Sequence, residues 1–597
     1  MRSSDAIGSA IGLSQGKLRQ GKLFQGKLFQ GKLFLDKQNL FLLLSIAAPF
    51  YYGAITLHHA FSHPFMVQDD MRQHVVWFYQ FIDPGLFPED IIADYFRSVA
   101  PWGVSAFYWL GAKVGLTPLV LAKLLPLPLG LIATVFFFFT TLELIPIPFA
   151  AWLSTLIFNQ HLWLNDDLVT ATPRAFVYPL FSAFLYFLVR RLLLPMLVAI
   201  ALLGLFFPQM MLVALAILGI RLMQGTWANG RLRLQLTFQG QPWRYALLGL
   251  LVATMVVVPF ALNLSDYGSA VTAEQMRSQL EYQAQGRNAY FGVHPLSFVL
   301  HGSSGLRIPV FPSIIWAGFA LPLLIRNKRF CSSHIIQAIT PKIRLLLDLT
   351  LASFILYFAA HALLLRLHFP SRYLYHSWRF ILAIASGIVL AALGEMGWRW
   401  WQKWRSPLSR ILLRLIIMPL ILVLLLVPLW PPLVFAFQGW VQGETPDIYA
   451  YLAKQPTDTL VASLAPEADN IPAFTLLSTW TGREFSLPHH PQYYTVVRQR
   501  TADLLQALYS SDLRDIQRLI DRTGIDFFLI ETDAFESRYL DQDWLLHSSL
   551  QPQVKEIMEQ LESGAGRAIA SHIPTCAVAS TKQYALLDST CLTNQMN

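Results

Sequence analysis

Apolar runs of about twenty residues recur along this chain, separated by short clusters of charge. A helix rising 1.5 Å per residue needs about 20 apolar residues to cross the ~30 Å hydrocarbon layer of a bilayer. The pattern therefore predicts an α-helical polytopic membrane protein. Spans are expected at about 40–61, 118–141, 147–163 and 176–189, then a short pair divided by Pro208, then 245–263. A further helix ends at the basic residues 326–329, others cover 345–366 and a stretch running into WRWWQKWR, and the last covers 411–432, about eleven in all. With that count Arg190, Arg191, Arg221, Arg231, Arg233, Arg244, the RNKR loop and the WRWWQKWR stretch all fall on one side. The positive-inside rule makes that side cytoplasmic, and an off-by-one count would scatter these charges. Segments 62–117, 164–175, 264–308 and 367–378 then face outward. Within the first, HVVWFYQFI and WGVSAFYWLGAKVG read as amphipathic helices lying on the membrane.

The pattern changes twice. Residues 1–39 carry a five-residue repeat (QGKLR, then QGKLF three times), which reads as a basic low-complexity cytoplasmic tail ahead of a transmembrane domain at 40–435. From 440 to 597 the chain has the look of a soluble α/β domain, placed outside the cytoplasm by the final span. DTLVASLA and IDFFLIET read as buried strands, and TVVRQRTADLLQALYSS and SDLRDIQRLIDRTG as helices, the second capped by Ser-Asp and stopped at Gly524.

Composition agrees with lipid as the solvent. Hydrophobic residues make up 54% of the 597 and charged ones 14%, against about 25% charged in soluble domains. The net charge of +9 sits beside apolar runs, so it reads as a topology signal and not as a nucleic-acid surface. Three cysteines exclude a disulfide-dense scaffold. Cys331 falls in a basic loop, whereas Cys576 and Cys591 share the terminal domain, where an oxidising compartment permits one disulfide. No GxxxxGK[ST] phosphate loop is present, so no nucleotide-sugar site is expected.

Ionisable residues cost free energy at a membrane surface unless they are hydrated, paired or used. MVQDDMRQH holds Asp69, Asp70, Arg72 and His74, and LNDDLVTATPRAF holds Asp166, Asp167 and Arg174. HFPSRYLYHSWRF holds His368, Arg372, Tyr373, His376 and Arg379, and the long 264–308 segment holds Asp266, Glu274, Arg277 and Arg287. Taken singly, a DD pair is ordinary turn or capping chemistry, and Arg or His at a helix end anchors to lipid headgroups. All four segments, however, fall on one predicted face. Together they supply carboxylates to take a proton from a hydroxyl, arginines to grip a phosphate, and rings to stack on a sugar. His58, His59 and His63 match no standard metal-ligand spacing. The acceptor tripeptide Asn263-Leu264-Ser265 abuts the membrane and reads as fortuitous.

An acidic pair after the first span, an interfacial stretch and a second acidic loop between the third and fourth spans resemble the GT-C superfamily. These polytopic glycosyltransferases include protein O-mannosyltransferases, aminoarabinose transferases and oligosaccharyltransferases. The first loop departs from the common pattern, reading QDD where an aromatic residue followed by Asp-Glu is usual, and the PRAF around Arg174 lies outside it. The resemblance implies a glycosyltransferase of a bacterial plasma membrane that moves a sugar from a polyprenyl-phosphate donor to a glycan, lipid or protein acceptor on the outer face. It makes Asp69 or Asp70 the general base, with Asp70 preferred, and has Asp166 and Asp167 orient the acceptor or hold a divalent cation such as Mg or Mn. Arg372, with Arg174, Arg287, Tyr373 and His376, would bind the donor phosphate. The rival reading is a transporter or flippase of lipid-linked sugars. It is disfavoured because the ionisable residues gather in outer segments and no inverted repeat is evident.

Overall fold

The computed structural model describes residues 36–228, 231–262, 267–327, 332–403, 415, 418–430, 439–564 and 567–595. The repeat-bearing tail, Cys331, Asp266, the Asn263–Ser265 tripeptide and, of the expected 411–432 span, residues 411–414, 416–417 and 431–432 lie outside these residues.

The apolar runs fold as helices: Asp36–Ala60, Pro118–Leu144, Pro148–Trp163, Val177–Arg190, Leu193–Phe206, Pro208–Ile220, Gly240–Leu262, Ser313–Arg326, Arg344–Ala362 and Ser371–Lys403. Among the described residues, five are long and apolar enough to cross a membrane: Asp36–Ala60, Pro118–Leu144, Gly240–Pro259, Pro341–Ala362 and Ser371–Arg399. This is a multi-pass membrane protein. Three of the helices open on Pro118, Pro148 and Pro208, where the missing N–H would have had no intrahelical partner anyway. Between Ile220 and Gly240, where only a basic loop was expected, strands Met223–Ala228 and Arg231–Leu236 pair antiparallel.

One helix crossing sets the geometry of the charged end. Ser371–Lys403 packs along Pro148–Trp163, and Gly387 meets Ser154 so closely that a Cβ would have no room. The Ser154 hydroxyl donates to the Ala150 carbonyl at 2.9 Å and reaches the Ile384 carbonyl at 3.3 Å. Small residues let two backbones approach where lipid supplies no hydrophobic drive between helices. Two turns away along each antiparallel helix, Arg379 and His161 are brought side by side.

The segments between the apolar helices are more ordered than the sequence suggests. The stretch 367–378, expected as a loop, is helical from Ser371 onward, because Pro370 ends the preceding turn and nothing after it breaks a helix. HVVWFYQFI, expected as an interfacial helix, packs its centre into protein. It forms the 3-10 helix Val76–Phe81, with Val76, Trp77 and Phe78 at most 1% exposed. The Trp77 ring meets Phe87 at 5.1 Å and Phe485 of the terminal domain at 5.6 Å, so its apolar face packs against protein.

The terminal domain carries a five-stranded mixed sheet in the order Ser478–Thr479, Leu460–Ala462, Phe527–Glu531, Tyr584–Asp588, Ala577–Ser580. The two strands legible in the sequence, Leu460–Ala462 and Phe527–Glu531, are parallel neighbours at its centre. Helices Pro491–Leu508 and Leu513–Thr523 flank it, the second with Asp512 as its N-cap and Gly524 in the left-handed conformation at its end. Cys576 and Cys591 are joined by a disulfide.

Candidate active site

The first acidic pair is placed by the terminal domain. Strand Met66–Gln68 pairs antiparallel with Trp440–Gln442, and the Asp69 amide donates to the Gly439 carbonyl at 2.9 Å. Helix Asp69–His74 follows at once, with the Gln68 side chain accepting from the Asp70 amide at 2.9 Å. Both carboxylates thus stand in a first helical turn, where unpaired N–H groups favour negative charge. Asp69 pairs with Arg72 one turn later. Arg72 is only 7% exposed and donates to Asn470 Oδ1 of the terminal domain at 2.7 Å.

The second acidic pair follows helix Pro148–Trp163. Here adjacent residues diverge: the Asp167 side chain is 1% exposed and that of Asp166 is 41% exposed. Asp167 accepts from the Tyr375 hydroxyl at 2.8 Å and lies 2.5 Å from the Arg379 guanidinium. The chain returns in the 3-10 turn Pro173–Phe176, which carries Arg174 to the centre of the cluster. Its Nη2 bonds to Asp70 Oδ2 and, at 3.1 Å, to Asp166 Oδ2, while Nη1 lies 3.6 Å from Asp167 Oδ1.

Beneath this layer is a buried one. Helix Ser371–Lys403 presents Arg372, Tyr375 and Arg379 at i, i+3 and i+7, one stripe of its surface. Arg379, fully buried, donates to His161 Nε2 at 3.1 Å and to the Tyr178 hydroxyl, which shares a hydrogen bond of 3.0 Å with His376 Nδ1. Two guanidiniums, Arg379 and Arg307, each stand 4.2 Å from the Tyr375 ring centroid. Among the described residues no carboxylate lies within ion-pair distance of Arg307 or Arg372.

The charges bias one another. Burial and the neighbouring Asp167 raise the Asp166 carboxyl to about 6. Burial also opposes the charged form of Asp167, but Arg379 beside it prevails and holds it below the ordinary carboxylate value. Burial pushes Arg174 down to about 10, and the cationic Arg379 and Arg307 add to this. Burial together with Arg372 lowers His74 to about 4 and His489 to about 3, and His368 falls well below its ordinary value for the same reasons. These imidazoles are therefore neutral at pH 7 and offer hydrogen bonds without adding charge.

The structure brings Asp69, Asp70, Asp166, Asp167, Arg174 and Arg372 together. Other expected residues are buried behind the cluster, paired outside it or exposed on a separate helix. Arg287 pairs with Glu484 of the terminal domain at 2.8 Å. Tyr373 is fully buried and donates to the Leu367 carbonyl at 2.7 Å, and His376 is 3% exposed behind Tyr178. Glu274 and Arg277 are exposed on a separate short helix, Ala273–Ser278. Arg307 was missed. It sits at the end of the 264–308 segment with φ 45°, a left-handed conformation a non-glycine residue seldom adopts. Its only sequence signal is a lone cation in the apolar stretch GLRIPVFP.

No protein-family model matches the chain, and no curated protein matches it. Solved structures of the Archaeoglobus fulgidus oligosaccharyltransferase do. The one in complex with Zn and sulfate aligns with a TM-score of 0.44 at 12% identity, covering 86% of this chain and 70% of that one. The structure of the archaeal oligosaccharyltransferase AglB with an inhibitory peptide and a dolichol-phosphate gives 0.42 at 11% identity, over 89% and 72% of the two chains. The apo form gives 0.36 at 12%, over 89% and 73%. A likeness this distant says nothing of substrate or chemistry.

Proposed function

We propose that the protein is an inverting glycosyltransferase that moves a sugar from a polyprenyl-phosphate donor to an acceptor hydroxyl at the outer membrane face. The observation that supports it is the convergence of Asp70, Asp166 and Arg174 at a partly exposed centre, beside two guanidiniums, Arg307 and Arg372, with which no described carboxylate forms an ion pair. Asp70 takes the acceptor proton as the new bond forms at the anomeric carbon, from the side opposite the phosphate. The bond from that carbon to the phosphate oxygen breaks, and polyprenyl phosphate leaves with the electron pair. Arg372 and Arg307 bind the departing anion, in the fork geometry that suits phosphate. Asp166 holds the acceptor, and Asp167 serves from below by fixing Tyr375 and Arg379.

The test is transfer by the purified protein in liposomes holding a polyprenyl-phosphate sugar and a radiolabelled acceptor. Asp70→Asn is expected to lower kcat by about 10²-fold or more, the usual reach of a general base, with Asp69→Asn milder. Arg372→Ala and Arg307→Ala are expected to weaken donor binding. Full rate in Asp70→Asn would remove the proposed base. Donor lipid crossing the bilayer without any transfer would replace this reading with transport.

A further inference from the structure

The resemblance to GT-C enzymes allows a divalent cation among the carboxylates, but the side chains present do not fit one. The position between Asp70, Asp166 and Asp167 is filled by a guanidinium, whose two terminal nitrogens divide the three carboxylates between them. Mg²⁺ or Mn²⁺ would need near-octahedral oxygen ligation at about 2.0–2.2 Å, and Arg174 stands where those oxygens would have to meet. Among the described residues, no group of three or more His, Cys, Asp or Glu is arranged to hold a metal ion.

Arg174 is also held in place from behind. It belongs to the turn Pro173–Phe176, in which the Ala175 amide donates to the Thr172 carbonyl at 2.9 Å and Ala175 is fully buried. The Phe176 ring packs against Phe206 at 4.5 Å and Phe107 at 5.4 Å. The backbone under Arg174 is thus tied into the helix bundle, and its side chain remains 30% exposed at the open centre. A planar cation with N–H groups on both edges can bridge carboxylates from separate segments in a set orientation. Without a cation, the same carboxylates would repel one another across a few ångströms.

We propose that Arg174 is a built-in cation: it bridges Asp70, Asp166 and Asp167 as a divalent metal would, so the native centre takes up no metal, and removing the guanidinium turns it into a metal site. The proposal concerns the carboxylates of the transferase reading, but binding is measured directly and does not depend on activity.

The experiment titrates full-length protein in detergent with Mn²⁺ and follows the free-ion electron paramagnetic resonance signal. Wild type is expected to leave Mn²⁺ free. Arg174→Ala is expected to withdraw one equivalent per chain and to lose that uptake when Asp166→Asn is added. Arg174→Ser repeats the measurement should the alanine variant fail to fold. Uptake of one equivalent by wild type that Asp166→Asn abolishes would overturn the proposal, because the guanidinium would then yield its place to a metal. Folded Arg174→Ala or Arg174→Ser that withdraws no Mn²⁺ would overturn it as well. A chain that transfers no sugar from any donor leaves this titration intact, and a wild type that binds Mn²⁺ leaves the transferase reading standing.

Discussion

Asp166 and Asp167 are joined by one peptide bond and have opposite surroundings. Asp167 is the buried partner of Arg379, and taking one member from a buried pair strands the other charge, at a cost of about 3–5 kcal/mol. Asp167→Asn should therefore lower the melting temperature by many degrees, whereas Asp166→Asn, which removes a carboxyl whose ionised form burial disfavours, should not lower it while reducing transfer. The two also differ in pH response. The Asp166 carboxyl is raised from 3.8 to about 6, first by burial and then by Asp167. A raised carboxyl contributes stability that is fully present below its unfolded value and is lost as pH rises through the folded one. Melting temperature should thus decline between about pH 4 and 6, and melts of Asp166→Asn across that range should show a flatter profile. The sequence displays two equivalent DD pairs. It cannot show which carboxylate of each points inward, because that depends on Tyr375 and Arg379, some two hundred positions away.

At the scale of elements, the crossing of Ser371–Lys403 over Pro148–Trp163 keeps Arg379 in register with His161 and Asp167. Gly387 has no room for a side chain against Ser154. Gly387→Val should push the helices apart, costing about 1–3 kcal/mol as overpacking does, and should lower transfer through misplacement of Arg379 and Tyr375. Transfer at wild-type rate in a folded Gly387→Val variant would show that the crossing does not set the site. The apolar runs revealed these helices because lipid demands length and apolarity, both visible in one dimension. The start of the second helix was less visible. HFPSRYLYHSWR is polar and aromatic, and only its i, i+3, i+7 spacing of Arg372, Tyr375 and Arg379 hints at a helix. HVVWFYQFI has the amphipathic signature of an interfacial helix, but its Trp77 packs against Phe485, and a partner so remote in sequence leaves no local trace.

The whole molecule is stitched where the segment after the first apolar helix meets the terminal domain. Arg72 binds Asp69 on one side and Asn470 on the other, with Asp469 close by. The Glu484 amide donates to Asp469 at 3.1 Å, and its carboxylate pairs with Arg287, so three distant segments share one polar seam. Arg72→Ala should lower kcat with little change in the KM for donor, since it frees Asp69 and the helix bearing Asp70 without touching Arg307 or Arg372. A rise in donor KM at unchanged kcat would place Arg72 in donor binding instead. The sequence divided the chain into membrane and soluble parts through its change of composition. It gave no sign that the soluble part reaches back to the first acidic pair, since a three-residue ladder such as Met66–Gln68 with Trp440–Gln442 is too short to read. That ladder has a consequence for biogenesis. A ribosome delivers Asp69 and Asp70 early and their strand partner only after most of the bundle has been made, and chains fold from the N-terminus as they emerge. The acidic helix therefore lacks its support until the terminal domain has been synthesised and docked, so a chain cut short before Trp440 is expected to show no transfer.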